Sequence, residues 1–209
     1  IWSKTYGGNG SDFGLCMVQT KDGGYALAGY TNSFGVGLYD FWLVKTDSYG
    51  NLQWSRTYSG AGYDEAFSVV QTSDGGYALA GWTRSSGGSA EDVYLVKTSA
   101  NGIMEWNRTY GGGHAYSVVQ TSDGGYALLG YIHSLYYGGF LLIKTDYQGN
   151  YSWNRIFQYT TYSLDIGRSL VQTNDHGYAL TGHTGDYDDP GSSVWLVKTA
   201  VSYTHLRAH

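Results

Sequence analysis

Asp22-Gly23-Gly24-Tyr25-Ala26-Leu27 returns as Asp74-Gly75-Gly76-Tyr77-Ala78-Leu79, as Asp123-Gly124-Gly125-Tyr126-Ala127-Leu128, and in altered form as Asp175-His176-Gly177-Tyr178-Ala179-Leu180. The four aspartates lie 52, 49 and 52 residues apart, and Trp2, Trp54, Trp106 and Trp153 run in step with them. A fixed period of about fifty residues marks a tandem array in which each copy is one supersecondary unit. Function is then to be sought where the copies differ.

Each unit carries four strand signals and no helix signal. In the first, Gly14 to Thr20 is an apolar run, Lys21-Asp22-Gly23-Gly24 is hairpin chemistry, and Tyr25 to Thr31 is a second strand. The loop Asn32 to Tyr39 leads into Asp40 to Thr46, and the turn Asp47 to Asn51 returns the chain into Leu52 to Tyr58. Consecutive hairpins exclude a parallel solenoid, and period-2 patterning excludes a helical one. A small sheet of this kind buries both faces only against its neighbours. The fold class is therefore read as all-β, a β-propeller fragment of four blades of four antiparallel strands, kelch-like or WD40-like and forming an open arc of a larger propeller. The expected division is a leading strand at 1–6, blades at 7–58, 59–110 and 111–157, an incomplete blade at 158–199, and a tail at 200–209. That division gives sixteen strands.

Composition agrees. The 32 glycines against 1 proline suit tight turns and close sheet approach, and the 22 tyrosines and 7 tryptophans supply the area that thin sheets need. Net charge is −5 with no basic stripe, so nucleic acid is not an expected partner. No apolar run is long enough to span a bilayer. One cysteine, Cys16, excludes an internal disulfide framework and aligns with Ser68, Ser117 and Ser169. The sequons at Asn107 and Asn150 would permit glycosylation in an exported protein.

The repeated motifs Trp2-Ser3-Lys4-Thr5-Tyr6-Gly7-Gly8, Ser68-Val69-Val70-Gln71-Thr72-Ser73-Asp74-Gly75-Gly76-Tyr77 and Asp40-Phe41-Trp42-Leu43-Val44-Lys45-Thr46-Asp47-Ser48-Tyr49-Gly50-Asn51 resemble those of an extracellular β-propeller repeat family of archaea and bacteria. The resemblance covers Ile1 to about Thr199, implies a surface or secreted propeller, and carries no catalytic residues to transfer. The segment Ala200 to His209 departs from the pattern and resembles a translated sequencing-adaptor tail. His205 and His209 are therefore not counted as ligands.

The repeated aspartates lack the ligand spacing of a calcium loop and are read as turn formers. The recurring Lys45, Lys97, Lys144 and Lys198 are read as structural cations, with Asp12, Asp64 and Asp165 as their candidate partners. Alternating strand directions place the second-to-third and fourth-to-first connections of every unit on one face. Ligand binding is expected there, at Phe34, Tyr39, Tyr136, Tyr137 and Tyr187, whose rings suit glycan or peptide surfaces. The same loops carry Asp186, Asp188 and Asp189, a candidate cation site for calcium. His114, His133 and Asp165 form a second metal candidate, weighed against solvated histidines. No Ser-His-Asp set stands out, so no catalytic residue is assigned. The functional expectation is a non-enzymatic extracellular or cell-surface binding or adhesion protein. The alternative is a fragment of a carbohydrate-active or quinone-dependent propeller enzyme whose active residues lie outside it.

Overall fold

A computed structural model describes residues 1–58, 60–86, 91–132, 138–160, 163–185 and 192–200. The described chain has no helix and 14 strands. These are β1 (Asp12–Gln19), β2 (Tyr25–Thr31), β3 (Asp40–Thr46), β4 (Leu52–Tyr58), β5 (Asp64–Gln71), β6 (Tyr77–Thr83) and β7 (Asp92–Thr98). There follow β8 (Met104–Gln120), β9 (Tyr126–Ile132), β10 (Phe140–Thr145), β11 (Tyr151–Phe157), β12 (Ile166–Gln172), β13 (Tyr178–Thr184) and β14 (Ser193–Thr199). They form three open sheets, β1 to β4, β5 to β11 and β12 to β14, each strand pairing antiparallel with its sequence neighbour.

Two of the sixteen expected strands do not appear as separate strands. The fourth strand of the second unit and the first of the third are one element, the 17-residue β8, which pairs with β7 through Met104–Gly112 and with β9 through Gly113–Gln120. The 49-residue spacing explains this: the third unit has Gly113 where the other units have Asp12, Asp64 and Asp165, and Gly111-Gly112-Gly113 is too short to form a separate loop. The leading segment, Trp2 to Tyr6, is not assigned as a strand, because its ladder partner would be a third strand ahead of it.

The hairpin repeat is a compact polar device. In the first unit the Asp22 carboxylate accepts from the Thr20 hydroxyl at 2.5 Å, from the Gly24 N–H at 3.0 Å and from the Lys45 ammonium at 2.8 Å. Lys97–Asp74, Lys144–Asp123 and Lys198–Asp175 repeat the ion pair at 2.9, 2.9 and 2.7 Å. The strand-three lysines thus pair with the hairpin aspartates. Asp12 and Asp64 have a different task from the one expected of them: they accept from Thr31 and Ser33, and from Thr83 and Ser85, tying the two connections on one face together.

Gly23, Gly75 and Gly124 hold φ between 82° and 86°, the left-handed region a tight turn requires. His176 takes the same place in the last unit at φ 59°, so the substitution keeps the turn and strains the residue. His176→Gly should raise the melting temperature by about 1–2 °C, since relief of the strain exceeds the added unfolded-state entropy by roughly 0.5 kcal/mol. A lower melting temperature would mean that the 2.9 Å contact of His176 Nδ1 with the Ser122 hydroxyl outweighs the strain.

Apolar residues pack in three clusters, each between consecutive units. Phe41 and Leu43 of β3 meet Val69, Leu79 and Tyr94 of the second unit; Val93 and Leu95 meet Val118, Leu128 and Leu141 of the third; Phe140 and Leu142 meet Leu170 and Leu180 of the fourth. The repeated Trp54, Trp106 and Trp153, placed alike in the fourth strands, are the residues a sequence reading assigns to buried packing between units. They are half-buried at the cluster margins, each edge-on to a tyrosine of the next unit at 5.7–6.1 Å. Strand four is the outermost strand of its unit, which leaves one side of each indole in water.

Polar clasps run beside the clusters. The side-chain oxygens of Gln71, Gln120 and Gln172 accept the N–H groups of Lys21, Ser73 and Ser122 in the preceding unit at 2.7–2.8 Å.

Candidate functional site

Connections of neighbouring units do meet on one face. Leu38 donates its N–H to the Gly62 carbonyl, Asp64 donates to the Tyr39 carbonyl, and Tyr39 and Tyr63 form an isolated bridge. Tyr39 packs edge-on to Tyr30 at 5.2 Å and against Tyr63 at 5.8 Å. Phe34 leaves the same loop in another direction. It lies 5.9 Å from Trp42 beside a hollow of about 350 Å³ that Lys4, Tyr6 and Asn51 also line. The two expected ligand aromatics are therefore not brought together. Tyr136, Tyr137, Tyr187, Asp186, Asp188 and Asp189 lie outside the described residues, as does His133.

The richest cluster of aromatic and ionisable groups stands instead on the first two strands of the units. Cross-strand pairing sets Phe13 against Tyr30, Glu65 against Trp82, His114 against Tyr131 and Ile166 against His183. The flanking positions stay small in every copy: Gly14, Ala66, Ala115 and Gly167 on one strand, Gly29, Gly81, Gly130 and Gly182 on the other. A Cβ at Gly81 or Gly130 would stand 1.8 or 1.7 Å from a neighbouring carbonyl oxygen, so these sites cannot vary and the pair between them can.

His114 is the hub. Its ring stacks on Trp82 at 5.0 Å and 12°, meets Tyr131 edge-on at 5.0 Å, and places Nε2 2.7 Å from a Glu91 carboxylate oxygen. Arg84 holds the other oxygen of Glu91 at 2.5 Å and lies 5.6 Å from the Trp82 ring. Burial alone would push the Glu91 carboxyl up, but the hydrogen bonds and charges of His114 and Arg84 outweigh it and hold the group below its ordinary range. Glu91 thus stays anionic near neutral pH. Glu65 moves the other way, pushed up by burial and by the neighbouring Glu91 charge despite a hydrogen bond from Trp82.

In front of this group Phe67, Tyr116 and Arg168, at equivalent positions of three successive first strands, make a continuous strip. Phe67 and Tyr116 are 4.9 Å apart, and the guanidinium of Arg168 lies 4.4 Å from the Tyr116 ring centre. Phe67 and Tyr116 are half-buried and Arg168 is exposed. Burial raises the Tyr116 phenol, the stronger effect, while the Arg168 charge lowers it, so the hydroxyl stays protonated and able to donate. The strip offers two aromatic surfaces, a phenol and a guanidinium held by a cation–π contact.

This cluster escaped a reading that looked for ligand residues in the long loops. A signal was present: one cross-strand pair per unit changes between Phe-Tyr, Glu-Trp, His-Tyr and Ile-His, while the pair beside it stays Gly or Ala in every copy.

Among the described residues no group of three or more His, Cys, Asp or Glu side chains is arranged to hold a metal. His114 is paired with Glu91, and Asp165 accepts the Tyr159 N–H at 2.7 Å. Also among the described residues, no helix is long and apolar enough to cross a membrane. No protein-family model and no curated protein matches the chain.

Proposed function

We propose that this chain is an arc of an extracellular β-propeller that binds a glycan or a peptide without transforming it. The propeller reading is supported by units of consecutive antiparallel strands that bury their faces on each other in sequence order. The repeat resemblance supports the extracellular setting. One observation carries the binding reading, the strip Phe67, Tyr116 and Arg168 buttressed by the Glu91–His114–Trp82 stack. Ring faces beside a fixed cation suit a sugar with a carboxylate or a peptide with an acidic side chain. The competing reading, a piece of a propeller enzyme, draws on Glu65, whose raised carboxyl beside anionic Glu91 is the pattern of an acid and a base set apart.

A glycan and peptide array probed with the whole chain, with and without calcium, tests the reading. Tyr116→Ala and Arg168→Ala should each weaken the strongest hits about tenfold or more while leaving the far-ultraviolet dichroism unchanged. Phe34→Ala should leave them intact. Hits indifferent to the strip overturn the site, products released from the array favour the enzyme, and hits that need calcium and vanish in Asp188→Asn move the site to the acidic loop.

A further inference from the structure

The repeated strand-three lysine has one partner fewer in the third unit than in the first two. The Lys45 ammonium is held by both oxygens of Asp22 at 2.8 and 3.1 Å, by the Thr46 carbonyl at 2.8 Å and by the Gln53 side-chain oxygen at 2.9 Å. Lys97 likewise has Asp74 at 2.9 Å, the Thr98 carbonyl at 2.8 Å and Glu105 at 2.9 Å. Lys144 keeps the same grip of its aspartate, with the Asp123 oxygens at 2.9 and 3.1 Å, and the Thr145 carbonyl at 2.7 Å. Ser152 stands in the place of Gln53 and Glu105, and among the described residues nothing takes the third position. An ammonium has three hydrogens to donate, and Lys144 is only 8% exposed. In both other units the third partner comes from the unit's own fourth strand, so it is not one that a segment beyond β14 would supply.

The third position borders a hollow of about 360 Å³ between the third and fourth units, at the small end of the range for ligand pockets, about 300–1,000 Å³. Lys144, Asp123, Ser152 and Trp153 of the third unit line it, with Gln172 and His176 of the fourth. Its walls are tied to each other: the Gln172 side-chain oxygen accepts the Ser122 N–H at 2.8 Å, and His176 Nδ1 lies 2.9 Å from the Ser122 hydroxyl. A site fixed in this way orders little when a ligand enters. The hollow is a property of the joint. Its counterpart between the second and third units, about 440 Å³ and lined by Lys97, Asp74, Glu105 and Trp106, stays open with the following turn in place, where Tyr147 joins the lining and Gly149 stands against the Trp106 ring. There, however, Glu105 already satisfies the lysine.

We infer that the hollow between the third and fourth units binds a neutral sugar ring, one of whose hydroxyls takes the third position at Lys144 while its C–H face lies on the Trp153 indole. Gln53 and Glu105 show that this position takes an uncharged oxygen as readily as a charged one. Asp123 decides between them. Burial pushes its carboxyl up, but the bonds to Thr121, Lys144 and Gly125 hold it below the usual carboxylate range, so it is anionic near neutral pH. A ligand carboxylate would meet that like charge, whereas a hydroxyl can accept from the ammonium and donate to the carboxylate together. The half-buried indole adds the flat apolar area that the ring's C–H face needs. This site shares no residue with the strip of Phe67, Tyr116 and Arg168, whose cation suits an acidic ligand, and it lies between two described units.

The indole N–H resonances of the seven tryptophans test it, with that of Trp153 assigned through Trp153→Phe. The whole chain is produced without glycosylation, because Ser152 also completes the Asn150 sequon. Titration with methyl glucoside, methyl galactoside and methyl mannoside should shift the Trp153 signal saturably for at least one of them, with a dissociation constant on the order of 1–10 mM for about a dozen heavy atoms. Ser152→Gln restores the arrangement of the first unit and should weaken that binding at least about tenfold. Glu105→Ser removes the third partner of Lys97 and should bring out a second saturable shift, at Trp106. Both positions are exposed, so neither change should alter the dichroism. The methyl uronide of the sugar that binds should bind at least about threefold more weakly than its neutral parent. A Trp153 signal indifferent to all three glycosides, a shift that survives Ser152→Gln, or a uronide that binds more tightly than its parent overturns the site. Because the strip is read at Tyr116 and Arg168, failure here would leave the array result standing.

Discussion

Phe41→Ala is expected to lower stability by about 3–5 kcal/mol, whereas Val194→Ala, at the same register position of the last unit, changes it by less than about 0.5 kcal/mol at dilute protein. Phe41 is fully buried, its ring lies 5.0 Å from Tyr94, and the atom at its tip would meet a Cβ on Gly81 at 2.9 Å. Phe140 repeats the arrangement against Gly182 and Trp195. Gly81 and Gly182, in the second strands of the second and fourth units, thus each receive an aromatic tip from the unit before. Truncating the ring leaves a void between two sheets that backbone shifts cannot fill, because both faces are held by ladders. In an array of this kind stability is a sum of unit and joint terms, so the loss falls on the joint and should separate the unfolding of the first sheet from the rest. Val194 has the same place in its strand and is 85% exposed, with no sheet in front of it among the described residues. Urea unfolding followed by tryptophan fluorescence checks both; equal effects at the two positions would mean that the joints do not carry the stability.

The recurrence of Asp-Gly-Gly made the hairpins and their period legible before any contact was known, since the tight turn closed between Thr20 and Gly24 needs one residue that tolerates positive φ, here Gly23. The strand-three lysines were legible as structural cations, but their partners were not. Asp12 and Asp22 lie ten residues apart on one strand and its turn, and only the registers show that Lys45 reaches the second. The fusion into β8 depended on three residues missing from one connection, which sequence registers as a shorter spacing and not as a merged strand. The candidate strip was hidden for a different reason. Phe67, Tyr116 and Arg168 follow the small residue at which each first strand changes register, between Ala66 and Ser68 in β5 and between Ala115 and Ser117 in β8. An irregularity of that kind re-aims one side chain, and strict alternation assigns such a residue to the wrong face.

Acid should destabilise the protein progressively between about pH 4 and pH 2, by about 3 kcal/mol from the hairpin ion pairs of the first three units. In the first unit the Lys45 and Thr20 hydrogen bonds hold the Asp22 carboxyl down at about 2; in the second, burial works against the Thr72 and Lys97 bonds, and Asp74 still lies at about 2. Asp123 is lowered as well, burial again opposing its bonds to Thr121 and Lys144. A folded-state value below the unfolded one means that the unfolded chain binds protons first. The stabilisation is therefore complete above the ordinary carboxylate range and disappears as pH falls through the folded values. The carboxylates of these pairs are 55–63% exposed, so water screens them and about 1 kcal/mol each is the appropriate scale, although the lysines are nearly buried. Asp64 and Glu65 act in the opposite direction: burial raises both, so their contribution is present at low pH and fades as pH rises through their folded values, which partly offsets the loss. The pairs also differ in reserve. Lys97 keeps Glu105 at 2.9 Å when Asp74 is protonated or replaced, while Lys144 keeps only the Thr145 carbonyl at 2.7 Å among the contacts described here. Asp123→Asn should thus be more damaging than Asp74→Asn at pH 7, because it leaves a nearly buried ammonium without a carboxylate. Each variant should also flatten its share of the acid slope. Melting temperatures of both variants and the parent from pH 7 to pH 2 measure this, and an acid slope identical in all three would place the lost stability elsewhere than in the repeated hairpins.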